Sequence, residues 1–230
     1  RCYYSVLQSQ EGAAVQAYLD KRRIRRGIAV RFGMGAAPDS WDALLTAMTH
    51  KGYTKQELIS AGLAVNGKNG RLYDKFRNRL MLPVIDVRGD VVGFGSRVLD
   101  KSEPKYMNTP ETLTYSKRRI LYGMNLAKKS KRSNIILCEG NLDVVTLHQA
   151  GFDNAVASMG TALTVEQTRL LSRFTKELVL CYDNDNAGKI ATERALQILN
   201  GSEFSVKVLQ LPRRLVDGEY IKQDLSLIHI

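Results

Sequence analysis

The sequence of 230 residues has few of the residues that build metal ribbons and disulfide frameworks. Its three cysteines and three histidines are scattered, so their spacing supports neither a zinc site nor paired disulfides. No apolar run approaches the roughly 20 residues of a membrane-spanning helix, and the first residues lack the apolar core of a signal peptide. We therefore expect a cytoplasmic protein with no membrane segment. A loop ending in Gly-Lys-Ser or Gly-Lys-Thr is also missing, which disfavours a helicase motor.

The charge of the chain is distributed unevenly. Composition is that of a globular protein, with 44% hydrophobic and 25% charged residues. Residues 1–133 hold 25 Lys and Arg against 11 Asp and Glu, a net charge of +14, whereas residues 134–230 hold 9 against 12, a net charge of −3. A basic segment joined to an acidic one suits a protein that binds a polyanion and holds metal ions against it. A basic surface that is merely solvated is the alternative interpretation.

Three apolar runs in the acidic half predict parallel strands. They cover residues 134–138, 178–182 and 206–212, and the first is apolar enough for a strand that is buried on both faces. Helical patterns at 142–150 and 187–199 separate the runs. Parallel strands joined by helices place their carboxyl ends at one edge of the sheet, and open α/β sheets bind ligands at that edge.

Carboxylates follow each of these runs. Glu139 ends the first run, Asp183 and Asp185 follow the second, and Asp224 comes twelve residues after the third. Along an extended strand end, Asp183 and Asp185 project to the same side, whereas Asn184 points away. The alternative is that these aspartates cap the following helix, which explains one of them but not both together with Glu139.

The basic half predicts helices interrupted by short strands. The pattern favours helices within 3–19, a short strand at 29–35, and a helix at 41–50 that starts after Pro38-Asp39-Ser40. We expect the single tryptophan, Trp41, to lie in the core.

A hairpin and a long loop complete this half. Strands before and after the turn at Arg88-Gly89-Asp90 form the hairpin, and Gly93 and Gly95 would let a backbone or ligand approach the sheet closely. The segment from Lys105 to Thr112 is too polar for a helix or strand, and a basic cluster at 117–119 follows it. We expect this loop to be functional.

Segments of both halves resemble one enzyme family, the bacterial DnaG-type replicative primases. Its Toprim signature resembles Glu139-Gly140-Asn141-Leu142-Asp143-Val144-Val145, Ala157-Ser158-Met159-Gly160-Thr161-Ala162 and Asp183-Asn184-Asp185-Asn186-Ala187-Gly188. The basic motifs that precede that fold resemble Arg77-Asn78-Arg79-Leu80-Met81-Leu82-Pro83-Val84, Gly93-Phe94-Gly95-Ser96-Arg97, Lys105-Tyr106-Met107-Asn108-Thr109-Pro110-Glu111-Thr112 and Lys117-Arg118-Arg119-Ile120-Leu121-Tyr122-Gly123. The resemblance runs over nearly the whole chain, from about Tyr18 to Asp224, and both sets of segments occur in the order that the family has.

The resemblance implies an α/β fold with two subdomains. Residues 1–133 would form a basic mixed α/β subdomain that binds template and nucleotide. Residues 134–230 would form a Toprim-like parallel-sheet subdomain for metal binding and catalysis, truncated at its C-terminus. The zinc-binding and helicase-binding regions usual in the family are absent from this sequence, so it resembles a catalytic-core fragment. A replicative helicase is the expected partner of the full-length family member through the region absent here.

The implied activity is synthesis of short RNA primers on single-stranded DNA during replication. Such an enzyme is a DNA-directed RNA polymerase, a nucleotidyltransferase that uses ribonucleoside triphosphates. Two alternatives stay open: another Toprim enzyme fragment, such as a nuclease or topoisomerase, and a single-stranded DNA-binding module without turnover.

The chemistry of primer extension assigns roles to the carboxylates. Two divalent ions roughly 4 Å apart stabilise charge on the attacking and leaving oxygens, and Mg²⁺ (or Mn²⁺) prefers oxygen ligands. Glu139, Asp183 and Asp185 are therefore the predicted catalytic and metal-binding residues, with Asp224 as a further ligand. Asp143 would support the metal, although pairing with a helix dipole is equally consistent.

The polar residues of the family's basic motifs are the predicted nucleotide and template contacts. These residues are Arg77, Arg79, Lys105, Asn108 and Lys117. Tyr106 and Tyr115 could stack on bases or pack internally. Residues 225–230 fit neither the third acidic motif nor a helix after it, so a tail foreign to the natural sequence is one interpretation.

Overall fold

The computed structural model describes residues 1–209, 214–216 and 219–221. It divides into two compact units. The first unit comprises Arg1–Val84 and Val91–Ser116, and the second comprises Ile85–Asp90 together with the chain from Lys117 onward. Residues 117–133, which the sequence groups with the basic half, thus belong to the second unit.

The first unit combines helices with a four-stranded sheet. Its helices are α1 (Cys2–Leu7), α2 (Ala13–Lys21), α3 (Arg26–Arg31), α4 (Ala43–Thr49) and α5 (Lys55–Ser60), with a 3₁₀ turn at Gln10–Gly12. Its strands are β1 (Gly35–Ala37), β2 (Ala64–Asn66), β3 (Leu72–Asp74), β4 (Arg79–Ile85), β5 (Val91–Val98) and β6 (Tyr106–Asn108). The main sheet has the order β1-β4-β5-β6, and β2 pairs antiparallel with β3.

Two local predictions for the first unit are wrong. In the segment predicted as a strand at 29–35, residues 29–31 instead form the last turn of α3, and Phe32 is its C-cap. Ala29 and Phe32, one helical turn apart, are both buried while Val30 is 47% exposed. The strand begins only at Gly35. In the segment predicted to hold no regular element, residues 106–108 form β6, since they pair with 95–97 of β5.

The second unit is built on a parallel sheet. Its strands are β7 (Asn134–Cys138), β8 (Ala155–Ala157), β9 (Glu177–Cys181) and β10 (Ser205–Val208), in the order β10-β9-β7-β8. Its helices are α6 (Met124–Ala127), α7 (Asn141–Gln149), α8 (Val165–Leu171) and α9 (Asn186–Leu199). In addition, β11 (Arg214–Val216) pairs antiparallel with β12 (Glu219–Ile221). All pairs within the four-stranded sheet are parallel. The predicted α/β class and the parallel arrangement of its strands are confirmed.

Burial explains why residues 117–133 pack with the second unit. Leu121 and Met124 are 1% exposed and belong to the core formed by the parallel strands. The amide of Gln167 on α8 donates hydrogen bonds of 2.9 Å to the carbonyl oxygens of Lys117 and Ile120. Tyr122 forms a β-bridge with Ala157 at the end of β8. This segment therefore lines the sheet although its charge resembles that of the basic half.

Within the described ranges, no helix has the length and apolar character needed to cross a bilayer.

The start of α4 shows how the first unit is held together. Asp42 occupies the N-cap position but its side chain accepts no capping hydrogen bond. Asp74, at the end of β3, instead accepts the N–H groups of Leu44 at 2.7 Å and Leu45 at 2.9 Å. Asp74 is only 2% exposed, and this burial raises the pKa of its carboxyl group against the opposing effect of the two hydrogen bonds. A carboxylate 29 residues further along the chain thus caps the helix.

Removing this carboxylate should destabilise the first unit. In Asp74→Ala, two buried N–H groups lose their acceptor, and we expect a loss of about 2 to 4 kcal/mol in the free energy of unfolding. Urea unfolding followed by circular dichroism measures it. Asp42→Ala is the matched control, with an expected loss below about 0.5 kcal/mol. Equal losses in the two variants would contradict capping by Asp74.

Candidate active site

The register of the parallel sheet determines which acidic residues meet. Cys138 of β7 lies opposite Cys181 of β9, so the residues that follow them leave the sheet side by side. Burial, and then the carboxylates of Asp143 and Asp183, raise the pKa of Cys181 to about 11. Asp143 and Asp183 thus lie within electrostatic range of the same thiol.

Glu139 follows β7 and is solvent-exposed. Tyr182, which follows β9, is 5% exposed. Burial raises the pKa of the Tyr182 hydroxyl, and the charges of Cys138 and Glu139 raise it further. Glu139 therefore lies at the same sheet edge as the second acidic segment.

The loop from Asp183 to Gly188 has little freedom. Asp185 is the N-cap of α9, and its Oδ1 accepts the N–H of Gly188 at 2.9 Å. A Cβ atom on Gly188 would lie 2.0 Å from the carbonyl oxygen of Asp183, so only glycine allows the helix to start this close to the strand end. Helix capping accounts for one oxygen of Asp185, as the alternative interpretation proposed, and it does not account for Asp183.

Asp143 supports the turn after Glu139. It lies in the first turn of α7, is 7% exposed, and its Oδ2 accepts the N–H of Gly140 at 2.8 Å. This bond fixes the turn that carries Glu139 away from β7. Asp143 thus contacts the backbone of the turn at Gly140, which follows Glu139.

The carboxylates are the candidate metal ligands at this edge of the sheet. Among the residues that the structure describes, no three His, Cys, Asp or Glu side chains are grouped closely enough to hold a metal by themselves. Mg²⁺ is usually bound by one or two carboxylates, with waters and substrate phosphates completing its shell. Glu139, Asp183 and Asp185 offer the hard oxygen donors that this mode requires. Asp224 lies outside the described residues.

In the first unit, Arg77 lies among aromatic rings. Its guanidinium carbon is 4.1 Å from the centroid of the Trp41 ring and 5.0 Å from that of Tyr73, and the guanidinium also donates to the carbonyl oxygen of Asp74. Trp41 is 65% exposed, so the prediction of a core tryptophan is wrong. Trp41 lies before the start of α4, and the buried residues of that helix are Leu44 and Leu45.

Arg79 and Lys105 are linked through the loop before β6. Arg79 is 6% exposed, and its Nη1 donates to the carbonyl oxygen of Pro104 at 2.9 Å. Burial, and then the neighbouring charge of Arg77, lower its pKa. Lys105 is exposed, with Nζ 5.6 Å from the centroid of the Tyr106 ring. Arg79 therefore positions the segment that presents Lys105.

The other predicted contacts differ in their accessibility. Asn108 is half-buried on β6 opposite Gly95, and Lys117 is half-buried in the second unit. Tyr106 is 51% exposed, whereas Tyr115 is fully buried.

The burial of Tyr115 excludes base stacking and explains Gly93. A Cβ atom on Gly93 would lie 2.9 Å from Cδ2 of the Tyr115 ring. The group that approaches the sheet at this glycine is therefore the chain's own tyrosine, and packing is the correct alternative for Tyr115.

Sequence reasoning missed two features that the tertiary structure brings out. One is the contact between the exposed ring of Trp41 and Arg77. These two residues are 36 positions apart in the sequence. The other is Arg194 on α9, which lines a pocket together with Glu139. The signal for Arg194 was its spacing of one helical turn from Ile190, which places both on one face of the helix.

Comparison with known proteins agrees with this architecture. A family model described as DNA primase catalytic core, N-terminal domain, matches residues 2–128, and a Toprim-like model matches residues 136–219. A DNA primase of Clostridium acetobutylicum is 44% identical over 225 residues, which is 97% of this chain and 37% of that protein. The DNA primase of Escherichia coli K12 is 42% identical over 197 residues, 85% of this chain and 34% of the relative.

Solved structures match as well. The E. coli primase catalytic core has a TM-score of 0.85 at 39% identity, covering 95% of this chain and 70% of that one. A DnaG primase catalytic domain bound to single-stranded DNA has a TM-score of 0.84 at 38% identity, with coverage of 95% and 71%. The chain spans about a third of the length of the curated relatives. Because one family model alone matches more than half of its residues, the chain belongs to the DNA primase catalytic core family.

Proposed function

We propose that this chain carries the catalytic part of a DNA primase, which synthesises short RNA primers on a single-stranded DNA template. The observation that carries the proposal is the parallel pairing of β7 with β9, which delivers Glu139 and Asp183 to one sheet edge. Membership of the primase core family supports the same activity. Ribonucleoside triphosphates would be the substrates, and the cytoplasm the place of action.

In this proposal Glu139, Asp183 and Asp185 hold Mg²⁺ or Mn²⁺, with Asp224 as a further ligand. Divalent ions at this edge would stabilise negative charge on the attacking 3′-oxygen and on the leaving pyrophosphate. Asp143 would keep the turn at Gly140 in place, and Asp185 would both cap α9 and face the ions with its second oxygen.

The first unit would supply cations and a stacking surface for nucleic acid. Lys105 is exposed and suited to a phosphate, while Arg79 holds its loop. Arg77 fixes the exposed Trp41 ring from one side, and such a ring stacks on bases of any sequence. Asn108 and Lys117 are the further proposed nucleotide contacts. A replicative helicase would bind the full-length protein through a region outside this chain.

Removing single charges from the sheet edge should strongly reduce synthesis without unfolding the protein. Asp185→Asn keeps a good N-cap, since Asn caps as well as Asp, and Glu139→Gln changes an exposed residue. With Asp183→Asn, each should lower labelled ribonucleotide incorporation on single-stranded DNA by about 100- to 1,000-fold at saturating Mg²⁺. Binding of Mn²⁺, followed by electron paramagnetic resonance, should weaken in parallel.

The matched control lies at the opposite edge of the same sheet. Glu177 opens β9, whereas Asp183 follows its end. Glu177→Gln removes the same charge and should leave both readouts unchanged. Near-normal synthesis in Asp183→Asn or Asp185→Asn would contradict the proposed metal ligands. A wild-type chain that binds single-stranded DNA but incorporates no ribonucleotide would favour a binding module without turnover.

Stacking and phosphate contacts should have different salt signatures. Trp41→Ala should weaken binding of single-stranded DNA by about 1 to 3 kcal/mol, and the slope of log affinity against log salt should stay unchanged. Lys105→Ala should reduce that slope by about 0.7. Fluorescence anisotropy of a labelled oligodeoxythymidylate at several salt concentrations measures both.

Two exposed residues of the same unit serve as controls. Tyr53 is 49% exposed, and Lys55 lies exposed on α5, so Tyr53→Ala and Lys55→Ala match the two changes in size and charge. Neither should alter affinity or slope. If Trp41→Ala behaves like Tyr53→Ala, the ring has no part in binding DNA, and an unchanged slope in Lys105→Ala would argue against a backbone contact there.

A further inference from the structure

A pocket of 310 Å³ lies between the helices α1, α2 and α3 of the first unit. Each helix contributes residues three or four positions apart, which share one face of a helix. An apolar cavity of about 150 Å³ holds one benzene ring. The pocket between the three helices therefore has room for one aromatic or branched aliphatic side chain together with the peptide bonds beside it.

The floor of this pocket is apolar, and its rim carries exposed apolar side chains. Leu7, Leu19 and Ala29, one from each helix, are between 3% and 6% exposed. On the rim, Tyr4 of α1 is 37% exposed and Val30 of α3 is 47% exposed. Burial of an apolar side chain against this floor is favourable, because it removes apolar surface of both partners from water.

Polar groups around the opening include both donors and acceptors. Nη2 of Arg26 donates to Oε1 of Gln8 at 3.3 Å, and Nε2 of Gln16 donates to the carbonyl oxygen of Leu7. Among the described residues, the other N–H groups of the Arg26 guanidinium and the Oε1 atom of Gln16 have no partner. The Asp20 carboxylate likewise forms no hydrogen bond or ion pair within the described ranges. A ligand that both donates and accepts hydrogen bonds can pair with these groups.

The chain that leads from α2 into α3 carries a high positive charge. Residues 21–31 hold six Lys and Arg and no Asp or Glu, and five of these six basic residues are exposed. The same segment forms one side of the pocket through Ile24, Arg26 and Val30. A positive surface beside an apolar pocket favours an anionic ligand that also carries an apolar group.

Asp20 distinguishes between the two anionic polymers that such a surface could bind. It is the one acidic residue among the described residues that line the pocket. Its carboxylate repels the phosphates of a nucleic acid backbone, which has no N–H group to donate to it. A peptide backbone carries an N–H group at every residue except proline. It can therefore donate to Asp20 while its acidic side chains lie against residues 21–31.

We propose that the pocket between α1, α2 and α3 is a docking site for an acidic peptide segment of a partner protein. One large apolar side chain of the segment packs on the floor, and the backbone beside it donates to Asp20. A neighbouring carboxylate of the segment accepts two N–H groups of Arg26, in the bidentate geometry that a guanidinium favours. This interaction goes beyond primer synthesis, because it uses none of the strand-end carboxylates.

Fluorescence anisotropy with labelled peptides and the chain of 230 residues tests the proposal. The four probes are fluorescein-labelled peptides with a central Leu, Ile, Phe or Trp between two pairs of Asp, and we expect at least one to bind saturably. Replacing its central residue by Ser, or its Asp residues by Asn, should each weaken binding by about tenfold or more, because the apolar group and the charges both contribute. Equal affinity for the Ser peptide, or no saturable binding of any probe, overturns the proposal.

Variants of the chain locate the binding site of the peptide. Val30→Asn removes apolar surface from the rim and Arg26→Gln removes a charge-assisted hydrogen bond, so each should weaken binding of the tightest probe by about tenfold. Val91→Asn and Arg71→Gln are the matched controls, because Val91 is 56% exposed and Arg71 is exposed in the same unit and neither lines the pocket. Circular dichroism checks that all four variants are folded. Equal affinities within either matched pair contradict the proposed site.

Two further measurements distinguish the peptide from other occupants of the pocket. Val30→Asn should leave the affinity for an oligodeoxythymidylate unchanged. If it weakens that affinity by about tenfold, and the oligonucleotide displaces the peptide, the pocket binds nucleic acid. Sedimentation velocity should find the wild-type chain and Val30→Asn in the same oligomeric state. Wild-type dimers that dissociate in Val30→Asn would identify a second copy of the chain as the occupant, and either result overturns the proposal.

Discussion

The second unit depends on the register between two central parallel strands. Cys138 and Cys181 are neighbours in β7 and β9, and both are fully buried. Because each strand is followed at once by acidic segments, the same register that packs the core also sets the separation of Glu139 and Asp183. A shift by one residue would turn buried side chains to the other face of the sheet. Core packing and the arrangement of the site are therefore one constraint.

The segments that leave these strands are held by short backbone contacts. Gly188 lets α9 begin against the carbonyl of Asp183, while Asp185 and Asp143 accept the N–H groups of Gly188 and Gly140. Two of the four carboxylates at this edge thus have hydrogen bonds that maintain the turns. Preorganisation of this kind is what electrostatic stabilisation of developing charge requires. Whether a carboxylate accepts a hydrogen bond from one of these turns depends on where it lies relative to the start of the following helix.

In the first unit, two buried charged residues also form hydrogen bonds to the backbone. Asp74 caps α4 from another element, and Arg79 holds the loop that presents Lys105. Both are nearly inaccessible, whereas Trp41 and Lys105 are open to solvent. Among the predicted basic contacts, burial therefore distinguishes a residue that positions others from one that can meet a ligand directly. Charge counts along the chain treat the two kinds alike.

The sequence by itself determined three of the four parallel strands, the helices α7 and α9, the acidic strand ends and the family, because apolar periodicity and short motifs are local properties of the chain. It did not predict β8, which has only three residues, or α8. The position of Trp41, the capping by Asp74 and the burial of Tyr115 required the tertiary structure. Each depends on a contact between residues that are distant in sequence, and no local pattern encodes such a contact. The strand predicted at 29–35 was wrong over residues 29–31 because the short pattern Ala29-Val30-Arg31-Phe32 fits a strand and a helix equally, and only packing against one face decides between them. The pocket at Arg194 likewise exists only once α9 has packed beside the loop after β8.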